Sequence, residues 1–179
     1  MLSPKMFPGS ALITWSASQS EAAKSAKLNG RAKGLMKPEK EVFDSPRGWV
    51  SRHIRQYLET DGRKGHRWQG VPTLLLTTTG RKTGRLRRTA LIYGVDGDRY
   101  LVVASTGGAD QHPSWYLNLV ATPEVEVQVG ADTFSARAYF AGPDEKPPLW
   151  HLMTSIWPDY EKYQSKTERE IPVVILERV

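Results

Sequence analysis

Asp96-Gly97 separates two apolar runs, and that dipeptide joins neighbouring strands as a tight antiparallel hairpin. The first run covers about 88–95 and the returning one 100–105, where Gly107-Gly108 breaks it. The pattern recurs downstream. Val125, Val127 and Val129 alternate with Glu126 and Gln128, Gly130-Ala131-Asp132 turns the chain, and Phe134, Ala136, Ala138 and Phe140 alternate on the return. Pro72 opens an earlier strand that runs to about 79, and Pro172 opens a last one at 173–176. Helices fall between some of these strands. Ser45-Pro46 reads as an N-cap with proline at the first helical position, and Val50, Ile54, Tyr57 and Leu58 then form one buried face that ends near Asp61-Gly62. Residues 62–70 read as a polar loop. A short helix begins at Pro113, with Trp115, Leu119 and Val120 near one face, and ends at Pro123. Another starts at Pro147, carries Leu149, Leu152, Met153 and Ile156 on one face, and breaks at Pro158; Tyr160 and Tyr163 share a side of the next turn. Six strands joined mostly by hairpins predict a mainly-β α+β fold, an antiparallel six-stranded barrel with peripheral helices.

Charge divides the 179 residues in two. Residues 1–38 hold six cations and one acid; taking these from the chain's 25 cations and 19 acids leaves 19 and 18 for the remainder. The expected organisation is a mobile basic extension over 1–40 and one domain over 41–179. The extension reads either as an ordinary tail or as a tether to an anionic surface, membrane included. Within the nearly neutral domain, Arg81, Lys82, Arg85, Arg87 and Arg88 place five cations in eight residues. Such concentration favours a pocket for one specific anion over nucleic-acid binding, which spreads charge across a face. No apolar run approaches the roughly 20 residues of a membrane helix. Cysteine is absent, which fits the cytoplasm and excludes thiol catalysis and thiolate metal sites.

No serine sits in a nucleophile elbow, and the four histidines have no metal-ligand spacing. Asp144-Glu145 is explained by favourable charge at a helix start. Three clusters carry the chemistry instead. In Thr77-Thr78-Thr79-Gly80-Arg81-Lys82-Thr83-Gly84 the two glycines are only four apart, so this is no nucleotide P-loop; glycine amides, hydroxyls and guanidinium groups still suit an oxyanion. Ala104-Ser105-Thr106-Gly107-Gly108, followed by His112-Pro113-Ser114-Trp115-Tyr116-Leu117-Asn118, offers open amides and aromatic walls for a planar ligand. Trp157 to Gln164 places rings and phenols on a broken helix, suited to a lid with a hydrogen-bond or proton donor.

In this order, TTTGRKTGRLRR, VVASTGGA, HPSWYLNL, WPDYEKYQ and TEREIPVV resemble the deazaflavin-dependent nitroreductase family, the split-barrel reductases that use coenzyme F420. The resemblance covers about 70–179 and implies a split β-barrel with the deazaflavin in a groove. It implies that Arg81, Lys82, Thr83, Arg87 and Arg88 meet the phosphate or oligoglutamate tail. Thr89, Ala90, Leu91 and Ile92 would pass along the cofactor, Val103, Ala104, Ser105 and Thr106 would border its ring, and Ser114, Trp115, Tyr116, Leu117, Asn118 and Tyr160 would complete the site. Ser105, Tyr160 and Tyr163 match positions that orient the acceptor or assist protonation. Nitroimidazole reducers of the family carry tyrosine where this chain has Ile92 and Trp157, which turns the expected acceptor toward a quinone or activated enone. The residue spacing and the charge distribution predict no metal and no nucleic acid, and monomer and weak dimer both stay open. Two alternatives stand beside it: a split-barrel enzyme using FMN, and a non-enzymatic module binding anions or lipid.

Overall fold

The computed structural model describes residues 41–179; the basic extension over 1–40 lies outside the described residues. Eight strands form one sheet: β1 (Val42–Asp44), β2 (Arg67–Trp68), β3 (Val71–Thr79), β4 (Leu86–Asp96), β5 (Arg99–Val103), β6 (Glu124–Val129), β7 (Asp132–Phe140) and β8 (Val173–Arg178). The order β4-β5-β8-β7-β6-β3, closed by pairing of β3 with β4, makes a six-stranded antiparallel barrel. β1 and β2 are additions to that barrel, β1 running parallel to the start of β4 and β2 antiparallel to the start of β3. Among the described residues four helices surround it: α1 (Gly48–Glu59), α2 (Ser114–Ala121), α3 (Lys146–Ile156) and α4 (Asp159–Gln164).

Strand alternation fills the barrel. Leu74, Leu76, Tyr93, Val102, Val125, Val127, Phe134, Ala136, Ala138, Val174 and Leu176 meet inside, with Leu119 of α2 packed among them. The opposite faces are covered from outside. Val50, Ile54 and Tyr57 of α1 cover Leu75. Leu149 and Met153 of α3, with Tyr160 of α4, cover Leu101, Val103, Val173 and Ile175. Each such buried aliphatic side chain contributes about 1.5–3 kcal/mol relative to exposure. Gly94 of β4 permits the close seat of α3: a Cβ there would fall 2.7 Å from the sulfur of Met153.

Several sequence expectations are corrected. The polar loop expected at 62–70 contains β2, and β1 was not foreseen. The N-cap of α1 is Arg47, not Ser45, because the Ser45 amide donates to the Arg88 carbonyl at 2.9 Å and extends the β1 pairing. Leu58, Val120 and Phe140 are exposed, although helical spacing placed the first two inward and strand alternation the third. In α2 the buried position next to Leu119 is Asn118, a polar side chain. Glu145 does more than favour a helix start, since it accepts from Arg99 at 2.6 Å, and Arg99 also pairs with Asp96 across the hairpin.

Candidate functional site

β4 changes partners on one edge. β1 pairs with it up to Arg88, and its pairing with β5 begins only at Tyr93, so Thr89, Ala90, Leu91 and Ile92 have no strand on that edge among the described residues. β3 occupies the other edge throughout 86–92. Backbone donors and acceptors that face the gap remain available to a ligand. Ala90 lies under α1 and Leu91 packs against the barrel core, so both side chains are engaged away from the gap.

The cationic loop stands at one end of the gap. Its glycine and Thr83 amides are committed internally: Gly80 N donates to the Arg85 carbonyl (2.8 Å), and Thr83 N and Gly84 N donate to the Gly80 carbonyl (3.1 and 2.7 Å). The Arg81 amide donates to Asn118 Oδ1 at 3.1 Å. The expectation that glycine amides would cradle the anion is therefore corrected; the side chains remain for it. Asn118 braces the loop, accepting from Arg81 with Oδ1 and donating from Nδ2 to the Thr78 hydroxyl at 3.0 Å. Arg81, Lys82, Arg85 and Arg87 are exposed, and among the described residues no carboxylate lies within 4.0 Å of them. Arg88 differs, half-buried and 3.8 Å from Asp44.

At the other end, the chain leaving β5 turns through Ser105 and a 3₁₀ turn, Thr106–Gly108. Thr106 has φ +48°, uncommon for a β-branched residue, and its buried hydroxyl has no hydrogen-bond partner. Arg169 holds this turn from behind. Its Nε donates to the Ala109 carbonyl (2.7 Å), Nη2 to those of Ala104 and Ser105 (3.2 and 2.8 Å), and Nη1 to His112 Nδ1 (3.3 Å). Sequence reasoning missed Arg169; its only signal was a cation inside the quoted TEREIPVV stretch.

α4 packs on the same turn. A Cβ on Gly108 would fall 2.6 Å from the Tyr163 carbonyl oxygen. Tyr160 and Tyr163 meet edge to face at 6.1 Å. Tyr160 is buried against β5 and β8, and burial pushes its phenol far above the usual range, so it stays neutral. Trp157 extends this wall outward, its ring 5.5 Å from Trp68, which stacks at 5.3 Å on Trp49. Of the α2 residues, Ser114 is exposed, Leu117 is half-buried, and Trp115 and Tyr116 pack against the barrel core, with Tyr116 stacked on His112 at 4.6 Å.

A cavity of about 670 Å³ lies at the β2 end of β3, away from the basic loop, and none of the candidate site residues lines it. Tyr57, behind this cavity, engages two of its lining residues: it accepts from Gly130 N (2.7 Å) and lies 3.2 Å from His66 Nδ1, while donating to the Thr73 carbonyl (3.1 Å). This network joins α1 to the sheet. Among the described residues no cluster of His, Asp or Glu could hold a metal ion, and no helix is long and apolar enough to cross a membrane.

A family model described as F420H(2)-dependent quinone reductase matches residues 49–178. An F420H(2)-dependent quinone reductase of Mycobacterium tuberculosis is 43% identical over 143 residues, covering 73% of this chain and 96% of that one. A solved F420-H2 dependent reductase, FDR-A, is 41% identical with a TM-score of 0.56, over 59% of this chain and 94% of its own. A second solved chain, titled a domain-swapped dimer, is 38% identical with a TM-score of 0.58, over 74% of this chain and 100% of its own.

Proposed function

The chain belongs to the F420H(2)-dependent quinone reductases, and from that membership we propose how its own residues divide the work. Reduced F420 supplies a hydride to a quinone-type acceptor when bound. The observation that carries the assignment is the gap on β4 at Thr89–Ile92, with unneutralised cations at one end and the orphaned Thr106 hydroxyl at the other. A phosphodiester with an acidic tail fits such a donor set.

Arg81, Lys82 and Arg87 bind the anionic portion, and Thr83 and Arg88 border it. The β4 edge and Val103, Ala104, Ser105 and Thr106 hold the ring, with Asn118 fixing the loop and Arg169 the turn. Ser114, Trp115, Tyr116 and Leu117 close the α2 side. The acceptor lies toward Ile92, Ser105, Trp157, Tyr160 and Tyr163, where the indole row of Trp157, Trp68 and Trp49 suits a flat, weakly polar ring. This favours quinones, then activated enones, over nitroimidazoles. Tyr160, neutral and buried, orients the acceptor; Ser105 and Tyr163 are placed to pass a proton to the reduced product.

The enzyme domain is 41–179, with 1–40 an accessory extension; the cysteine-free composition supports a cytoplasmic place. A weak dimer is favoured over a monomer by the relative titled a domain-swapped dimer, and light scattering across concentration decides it. Function is tested by anaerobic oxidation of F420H2 with menadione, cyclohexenone and a nitroimidazole, beside parallel titration with FMN. Menadione should turn over fastest and F420 should bind in preference to FMN. Preferential FMN binding would overturn the placement of these residues.

A further inference from the structure

β1 precedes residue 49, where the family match begins, yet it holds the exit of the basic loop. It pairs in parallel with β4 through Val42 with Leu86, Phe43 with Arg87, and Asp44 with Arg88. The Phe43 ring lies against two guanidinium groups, with Cζ of Arg85 and Cζ of Arg87 each 5.1 Å from its centroid. The neighbouring Asp44 takes Arg88. The strand thus sorts the cations. A carboxylate neutralises Arg88 and removes it from the competition for a ligand. An aromatic face holds Arg85 and Arg87 without cancelling their charge. A flexible exposed arginine loses rotamer freedom on capturing an anion, and prior contact with the ring reduces that loss.

We propose that Phe43 is a positioning residue that presents Arg85 and Arg87 together to carboxylates of the cofactor's oligoglutamate tail. β1 is then an accessory tail-reading strand, outside the region that defines the family. The inference rests on the assignment of the tail to the basic loop. It adds Arg85 to the tail contacts, and it places selectivity for tailed over tail-less deazaflavin in a residue that touches neither ring nor acceptor. The ring acts on the tail alone, so its loss should spare the affinity for the bare chromophore.

The test compares wild type with Phe43→Leu and Phe43→Trp. Each is titrated by fluorescence with F420 bearing several glutamates and with the deazaflavin riboside that lacks phosphate and tail, at low and high salt. Phe43→Leu should bind tailed F420 about tenfold more weakly, because two arginines then lose their rotamer freedom only on binding. Its affinity for the riboside should be unchanged, Phe43→Trp should restore wild-type binding, and the difference should shrink at high salt. Unchanged F420 affinity in Phe43→Leu, or an equal loss for both ligands, would overturn the proposal, the latter marking a purely structural strand. A wild type that binds tailed F420 no better than the riboside would instead overturn the placement of the tail on the basic loop.

Discussion

Thr106 carries two costs at once, a left-handed backbone at φ +48° and a buried hydroxyl without a partner. A β-branched residue in that region is strained by about 1–2 kcal/mol, and an unsatisfied buried hydroxyl costs about 1–3 kcal/mol. Thr106→Gly removes both. We expect the ligand-free protein to melt higher, and F420 affinity to fall severalfold because the hydroxyl is lost; scanning fluorimetry and titration of the same samples check it. A higher melting point with unchanged affinity would show that the hydroxyl does not meet the cofactor. The turn behind it should respond to pH. Arg169 can only donate, so His112 Nδ1 accepts and His112 is neutral, and burial, then the Arg169 charge, hold its pKa below the ordinary value. His53 is shifted down as well, chiefly by burial. A lowered folded pKa means stability is complete above the unfolded value of about 6.5 and is lost as pH falls through the folded one. Melting temperature should therefore drop between pH 7.5 and 5, and His112→Gln should flatten part of that slope; an unaltered slope would exclude His112. The cations at 81–88 were legible because their neighbours in sequence are their neighbours in space. Arg169 was not, because the carbonyls it holds at Ala104 and Ser105 lie 65 and 64 residues away.

Among the elements, legibility followed length and period. The six barrel strands announce themselves by alternation and turn residues, whereas β1 and β2, at three and two residues, are too short to show any period. Alternation also misplaces Phe140, because β7 runs out to the edge of the core after Ala138, and the ring turns to Tyr116 at 5.3 Å. The gap on β4 could not be read at all. It arises from the registers of β1 and β5, both long-range pairings. The docking of α4 on the 3₁₀ turn has a single sequence mark, Gly108. It has φ +86°, and a Cβ would meet a backbone oxygen that no rotamer change can move. Gly108→Ala should cost about 2–3 kcal/mol, from the backbone conformation and the displacement of α4 together. Because α4 carries Tyr160 and Tyr163 but none of the cationic loop, kcat/KM for menadione should fall more than F420 affinity does. Denaturant melts and steady-state rates measure the two effects. Equal losses in binding and turnover would mean that α4 also supports the cofactor.

At the scale of the whole chain, net charge is a poor guide to the site. Of the formal +6, a net +5 falls in residues 1–38, while the barrel is almost neutral and holds its active charge in one loop. At about 0.15 M salt, exposed charges are screened beyond about 8 Å. Only cations fixed beside the ligand then contribute to affinity; on the placement proposed above these are Arg81, Lys82, Arg85 and Arg87, of which Arg81 is braced by Asn118 and Arg85 and Arg87 by Phe43. Two variants separate the charge pools. Deleting 1–40 removes most of the net charge and should leave the F420 dissociation constant unchanged. Lys82→Glu with Arg87→Glu moves the net charge by a similar amount, four units, and should weaken binding by tenfold or more, about 1.4 kcal/mol. Isothermal titration at 0.15 M salt compares them directly. Equal losses in both variants would mean that overall charge, not the placed loop, attracts the cofactor; an unaffected double variant would remove the loop from the site. If the deletion instead abolished binding to anionic vesicles while F420 affinity held, the extension would be a membrane tether that works independently of the cofactor groove.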